Sequence, residues 1–323
     1  MKGNGTFRPP VYLRNPYVQS MLASSRLRAM GRNAMTASER EMILEDGQGI
    51  RLLGYWSSVP SVPKKGLVIL LHGWEGSSHS TYVKTTGKRL FEAGYDIFRL
   101  NYRDHGPSHH LNEGVFFAIR LDEVFACVKQ AALMEKEGPV FLAGFSMGGN
   151  FALRIAIRCA REPIPGLAHV AAISPGINPL KSTQAIDAIP VFRWYFLKKW
   201  RWSLRKKQEL FPDKYDFGAI LRSKTVMETT DVFLKQLSDY PGVPEYFKGY
   251  TLTGDTLKAI GVPTTIITAG DDPIIPVEDF YECGLNDMTR LIVQPYGGHN
   301  GFIERFPSPC WYEQKLIDLF SVH

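Results

Sequence analysis

Two periodicities alternate along most of this chain. Short apolar runs closed off by glycine, proline or charge take turns with longer stretches in which apolar side chains recur every three or four positions. Gly66–Leu71 reads GLVILL between Pro-Lys-Lys and His-Gly, and Pro139–Ala143 reads PVFLA. Runs that are apolar at every position suit strands covered on both faces, as in a parallel sheet. Asp96–Asn101, His169–Ile173, Pro263–Ala269 and Arg290–Val293 supply further strands. Glu41–Glu45 and Arg51–Trp56, parted by Asp46-Gly47-Gln48-Gly49, predict two strands joined by a turn. Helical spacing appears over Tyr82–Ala93, which stops at Gly94, over 115–136, over Phe151–Cys159 and over 309–321. Such alternation predicts βαβ units and a mostly parallel sheet of eight strands flanked by helices. It breaks after about residue 178, where aromatic, basic and proline-rich sequence carries no clear strand until the run at Pro263. The pattern therefore predicts a core of residues 1–177 and 252–323, with an N-terminal arm over 1–40 and a helical cap insertion over 178–251.

Composition narrows the class. With 323 residues, 44% hydrophobic and 22% charged, the chain is an ordinary globular protein able to bury a large core. Cys127, Cys159, Cys283 and Cys310 are far apart and form no CxxC pair, which argues against zinc and thioredoxin-type sites and for reduced thiols in a cytoplasmic protein. No run of about 18 apolar residues predicts a membrane span. Lys2, Arg8, Arg14, Arg26, Arg28 and Arg32 precede the first acid, Glu39. A transit peptide has that composition, but a basic arm lying over the folded domain is the preferred reading. The net charge of +6 is dispersed, and no nucleic-acid-binding signature accompanies it, so no nucleic-acid partner is expected.

The chemistry concentrates at four places. Gly144-Phe145-Ser146-Met147-Gly148 matches G-x-S-x-G between a predicted strand and a predicted helix. A turn that tight exposes the serine hydroxyl at a helix N-terminus, where developing negative charge is favoured, and requires small residues two before and two after. A serine hydroxyl is a weak nucleophile and needs a base oriented by a carboxylate. In the chain order Ser, acid, His, the base is His299, in Tyr296-Gly297-Gly298-His299-Asn300-Gly301-Phe302; His169 stands at the start of a strand on the wrong side of the insertion. Asp271 and Asp272 compete as the acid; Asp272 is chosen because it is the aspartate that opens the D-P-x-x-P turn, leaving Asp271 a turn or capping role. The turn Leu71-His72-Gly73-Trp74 after the third strand predicts an oxyanion hole built from the Trp74 and Met147 backbone N–H groups, with His72 only ordering the loop.

This motif set resembles the YheT-like branch of the α/β-hydrolases, relatives of the Emb and ABHD proteins. Asn15-Pro16-Tyr17-Val18-Gln19-Ser20, LHGWEGSSHSTY (71–82), GFSMGGN (144–150) and GGHNGF (297–302) carry the resemblance. It implies the α/β-hydrolase fold and a carboxylesterase-like activity on a small-molecule ester, with no cofactor and no metal. The chain departs from the branch after the fourth strand, where Asn101-Tyr102-Arg103-Asp104-His105-Gly106 stands in place of R-G. His105, His109 and His110 share no metal-ligand spacing and are expected in a polar surface loop. Residues 192–207, FRWYFLKKWRWSLRKK, hold seven basic residues and no acid. They fit a cap helix with aromatics over an acyl pocket and cations in solvent, or a membrane-surface helix; the first is preferred.

Overall fold

The computed structural model describes residues 6–60, 63–307 and 309–323. In chain order the strands are β1 (Arg40–Glu45), β2 (Arg51–Ser57), β3 (Leu67–Leu71), β4 (Asp96–Leu100), β5 (Val140–Phe145), β6 (Leu167–Ile173), β7 (Thr264–Ala269) and β8 (Thr289–Gln294). The helices are α1 (Pro16–Ala23), α2 (Ala34–Ala37), α3 (Thr81–Glu92), α4 (Leu121–Ala132), α5 (Met147–Arg158), α6 (Pro179–Ala188), α7 (Pro190–Leu210), α8 (Gly218–Arg222), α9 (Val226–Leu237), α10 (Val243–Lys248), α11 (Glu278–Tyr281) and α12 (Trp311–Phe320).

The strands form one sheet in the order β1-β2-β4-β3-β5-β6-β7-β8. β2 runs antiparallel to both β1 and β4, and the pairings from β4 through β8 are parallel. Every residue of β3 and β5 is buried, which is why those segments are apolar without alternation. One apolar cluster packs α4 and α5 against the sheet, and a second packs α3 and α12 on the other face. This is the mostly parallel eight-stranded sheet expected from the alternation, and it matches the α/β-hydrolase architecture that the resemblance implies. Helices α6 to α10 all lie between β6 and β7.

Two helices differ from their predicted extents. The apolar spacing over 115–136 continues into a helix only from Leu121. Upstream, side chains take the backbone: Asp104 accepts the Phe116 amide, Tyr246 accepts the Ala118 amide, and Arg154 donates to the Ala118 carbonyl. With those groups satisfied from outside, a helical ladder gains nothing there. α5 starts at Met147, earlier than the expected Phe151, because its first turn contains Gly148 and Gly149, whose low helix propensity conceals it.

From residue 6 onward the arm lies over the core; its first five residues, Lys2 among them, lie outside the described residues. Asn15 caps α1 by accepting the Tyr17 and Val18 amides. Gln19 is fully buried; it donates to the carbonyls of Leu13 and Ile303 and accepts the Ile303 amide. This one side chain joins segments 284 residues apart. Gln19→Leu keeps the volume but orphans three buried backbone groups, and each such group costs about 1–3 kcal/mol. Urea unfolding is expected to show a loss of at least about 3 kcal/mol with an unchanged denaturant slope. A loss under about 0.5 kcal/mol would mean that the arm does not depend on this clamp.

Candidate active site

Ser146 links β5 to α5 with φ 54° and ψ −116°. A non-glycine residue there costs on the order of 1–3 kcal/mol, so the surroundings must hold it. They do so by backbone contact. A Cβ at Gly144 would lie 2.1 Å from the Gly148 carbonyl oxygen, and one at Gly148 would lie 2.3 Å from that of Leu71. Neither atom can move aside cheaply, so the glycines two before and two after the serine are steric necessities.

The Ser146 hydroxyl lies 2.9 Å from His299 Nε2, and His299 Nδ1 lies 2.9 Å from Asp272 Oδ2. The tautomer that satisfies both contacts has the hydroxyl donating to Nε2 and Nδ1–H donating to the carboxylate. The Asp272 side chain is fully buried, and its other oxygen accepts the Ile274 and Ile275 amides. Asp271 instead accepts the Gly298 amide, bracing the histidine loop. The structure thus brings Ser146, His299 and Asp272 into one hydrogen-bonded row and leaves Asp271 beside it. Such a row can take a proton from a hydroxyl and return it to a leaving group. His169 is elsewhere, bonded to Thr265 and His323.

The loop after β3 faces the serine. The Tyr82 hydroxyl accepts the Gly73 amide, and a Cβ at Gly73 would lie 3.3 Å from Ser146 Cβ. The Trp74 and Met147 amides donate to no protein acceptor among the described residues. His72 is fully buried; Nδ1–H donates to the Gly73 carbonyl and Nε2 accepts the Tyr102 amide at a long 3.4 Å. Burial pushes its pKa well down, and His105 adds to the fall, so it is neutral.

Three features were not foreseen from the sequence. The Ser20 hydroxyl accepts the His299 backbone amide at 2.8 Å and donates to the Pro16 carbonyl, so α1 holds the histidine loop directly. Gly298, at φ 53°, lets the two meet: a Cβ there would lie 2.4 Å from the Pro16 oxygen. The resemblance carried by N-P-x-x-Q-S was the signal, but nothing local showed its role. Asn150 ties α5 to the cap by donating to the Gly176 and Tyr250 carbonyls. Finally, His105 and His109 are buried, which corrects the expectation of a surface loop for those two, while His110 is exposed as expected. His105 accepts the Glu75 amide, and His109 bonds Ser203 of α7. Burial lowers both imidazoles, to about 4 and about 3. Among the described residues no group of His, Cys, Asp or Glu is arranged to hold a metal ion.

Two cavities meet at Ser146 and His299. One, of about 130 Å³, runs beneath the cap between Phe196, Trp200, Phe233, Phe247 and Ile275. The other, about 630 Å³, is a groove between α1, α7 and the loop after β3, and its lining includes Arg26, His79 and Lys199. No aspartate or glutamate lines either.

Comparison with known proteins now places the chain. The Hydrolase_4 model, described as serine aminopeptidase, S33, matches residues 62–305. The chain belongs to this family of α/β-hydrolases. It is 23% identical to an abhydrolase domain-containing protein of Dictyostelium discoideum, over 99% of this chain and 82% of that one. It is 24% identical to phospholipase ABHD3 of Mus musculus over 78% of this chain, and the match spans 62% of that relative. Among solved structures, esterase Pf2001 of Pyrococcus furiosus shares the fold with a TM-score of 0.55 and 19% identity, over 99% of this chain and 98% of that one. The family is one of hydrolases.

Glu75, at φ 53° in the loop after β3, gives this site a pH signature. Its side chain lines a small cavity with Asp104, His105 and Lys207, so part of its surface stays open. Burial nonetheless pushes its carboxyl up to about 8, with Lys199 opposing the rise and Asp104 adding to it. An unfolded carboxyl loses its proton near 4.5, while the folded chain keeps it to about 8. The unfolded state therefore binds fewer protons across that window, and this group makes stability fall as pH rises through it. Glu75→Gln is expected to lose less stability than the parent between about pH 5 and pH 8 in urea unfolding. Equal losses in the two proteins would show that Glu75 ionises without hindrance.

Proposed function

We propose that this hydrolase cleaves carboxylic esters of small to medium acyl groups through a covalent acyl-enzyme, with Ser146 as nucleophile, His299 as base and Asp272 as its orienting acid. The observation that carries the reading is the row itself: two contacts of 2.9 Å from hydroxyl to imidazole to a buried carboxylate. His299 takes the hydroxyl proton as Ser146 attacks the ester carbonyl. The Trp74 and Met147 amides, free of protein acceptors among the described residues, hold the tetrahedral oxyanion. His299 then protonates the leaving alcohol and later activates water against the acyl-enzyme. The apolar cavity beneath the cap receives the acyl group, and the groove on the α1 side receives the alcohol.

The family description names an aminopeptidase, but the cavity linings favour an ester. A free amino terminus needs an anionic partner, and neither cavity offers a carboxylate. A second reading, lipid-ester hydrolysis, draws on the groove, where Arg26 and Lys199 could face a headgroup phosphate. It accords with the name of the mouse relative, a phospholipase.

Rates on p-nitrophenyl esters of graded acyl length test the proposal. Activity is expected to peak at short to medium chains. Ser146→Ala is expected to lower kcat by at least about 10⁴-fold, and Asp272→Asn by about 10⁴-fold, with KM nearly unchanged. A folded Ser146→Ala protein that retains turnover would exclude this mechanism.

A further inference from the structure

α7 has two faces. Inward, Phe196 and Trp200 line the acyl cavity, Lys199 donates to the Glu75 carbonyl and Lys207 pairs with buried Asp104. Outward, Val191, Trp194, Lys198, Trp202 and Arg205 are all exposed, at successive spacings of three or four that keep them on one side of the helix. Trp194 is 60% exposed and Trp202 55%. From Pro190 to Gln208 there is no acidic residue. Lys198, Arg201 and Arg205 enter no salt bridge among the described residues, and together with Arg193 and Lys224 they surround one shallow basin. Lys198 and Lys206 sit over the rings of Trp194 and Trp202.

Cations alone describe a solvated face. Two exposed tryptophans among uncompensated cations do not, because an amphipathic ring beside a basic side chain is the arrangement that settles at a lipid headgroup boundary. Position adds to this. Trp194 borders both the basic basin and the groove that reaches Ser146, and the rim of that groove also carries exposed Met21 and Val191 with Arg26. We infer that the outer face of α7 docks this protein on an anionic lipid surface, with the groove mouth turned toward the membrane. The contact is made by the cap, and no helix among the described residues is long and apolar enough to cross a bilayer. The inference stands apart from the ester reading, because docking needs no turnover.

The test is co-sedimentation with phosphatidylcholine vesicles, with and without phosphatidylserine, at low and raised salt. The parent is expected to pellet with phosphatidylserine vesicles, to stay in solution with pure phosphatidylcholine, and to be released by salt. The double variant Lys198→Glu with Arg205→Glu is expected to bind at least about tenfold less. Trp202→Ala is expected to bind severalfold less while keeping the salt dependence. Thermal melts verify that each variant folds; none of these residues lines either cavity at Ser146. Parent protein that stays in solution with anionic vesicles overturns the inference. So does a folded charge-reversal variant that pellets like the parent. Retention on heparin without any vesicle binding would assign the face to a soluble polyanion and likewise overturn it.

Discussion

Everything at this site depends on a single strained residue. Ser146 sits at positive φ because β5 must turn into α5 within one residue, and that turn is held by backbone against backbone. Gly144 meets Gly148, and Gly148 meets the end of β3. Contacts of this kind cannot relax as side chains do, so the hydroxyl is fixed relative to the loop after β3 before any substrate arrives. Pre-organisation of this sort is where a hydrolase gains most, since the donors need not rearrange as charge develops.

The rest of the chain delivers partners to that fixed point. The imidazole arrives on a loop that cannot position itself, flanked by Gly297, Gly298 and Gly301. It is held from outside: Ser20 takes its amide, Asp271 takes that of Gly298, and Gln19 secures the strand-like segment that follows. The loop after β3 is held in the same way by Tyr82, by His105 and, through its Glu75 carbonyl, by Lys199 of the cap. Cap and site are therefore mechanically joined. Any motion of α7 that withdraws Lys199 removes one of the three holds on the segment carrying the Trp74 amide, leaving those of Tyr82 and His105.

What the sequence revealed follows from how local each requirement is. The sheet was legible because strands buried on both faces leave unbroken apolar runs, as in β3 and β5. The serine turn was legible because glycine is demanded at fixed offsets by contacts a few residues away. Asp272 could be told from Asp271 only through the turn that follows it. The role of α1 was not legible, because its partners lie almost the full length of the chain away. The burial of His105 and His109 was misjudged for a related reason. A histidine-rich loop looks polar until Ser203 and the Glu75 amide, from other elements, satisfy it. α7 defied a single reading because its basic residues divide between a buried pair and an open face, a division set by tertiary packing.

The most direct measurement is covalent. A fluorophosphonate mimics the tetrahedral adduct and reacts only with a serine whose proton is removed by a neighbouring base. Peptide mapping by mass spectrometry after treatment at neutral pH is predicted to find one adduct, on the peptide carrying Ser146, and to find none in folded His299→Ala protein. A folded native protein that stays unlabelled at Ser146, or a His299→Ala protein labelled as fast as the parent, would contradict the account.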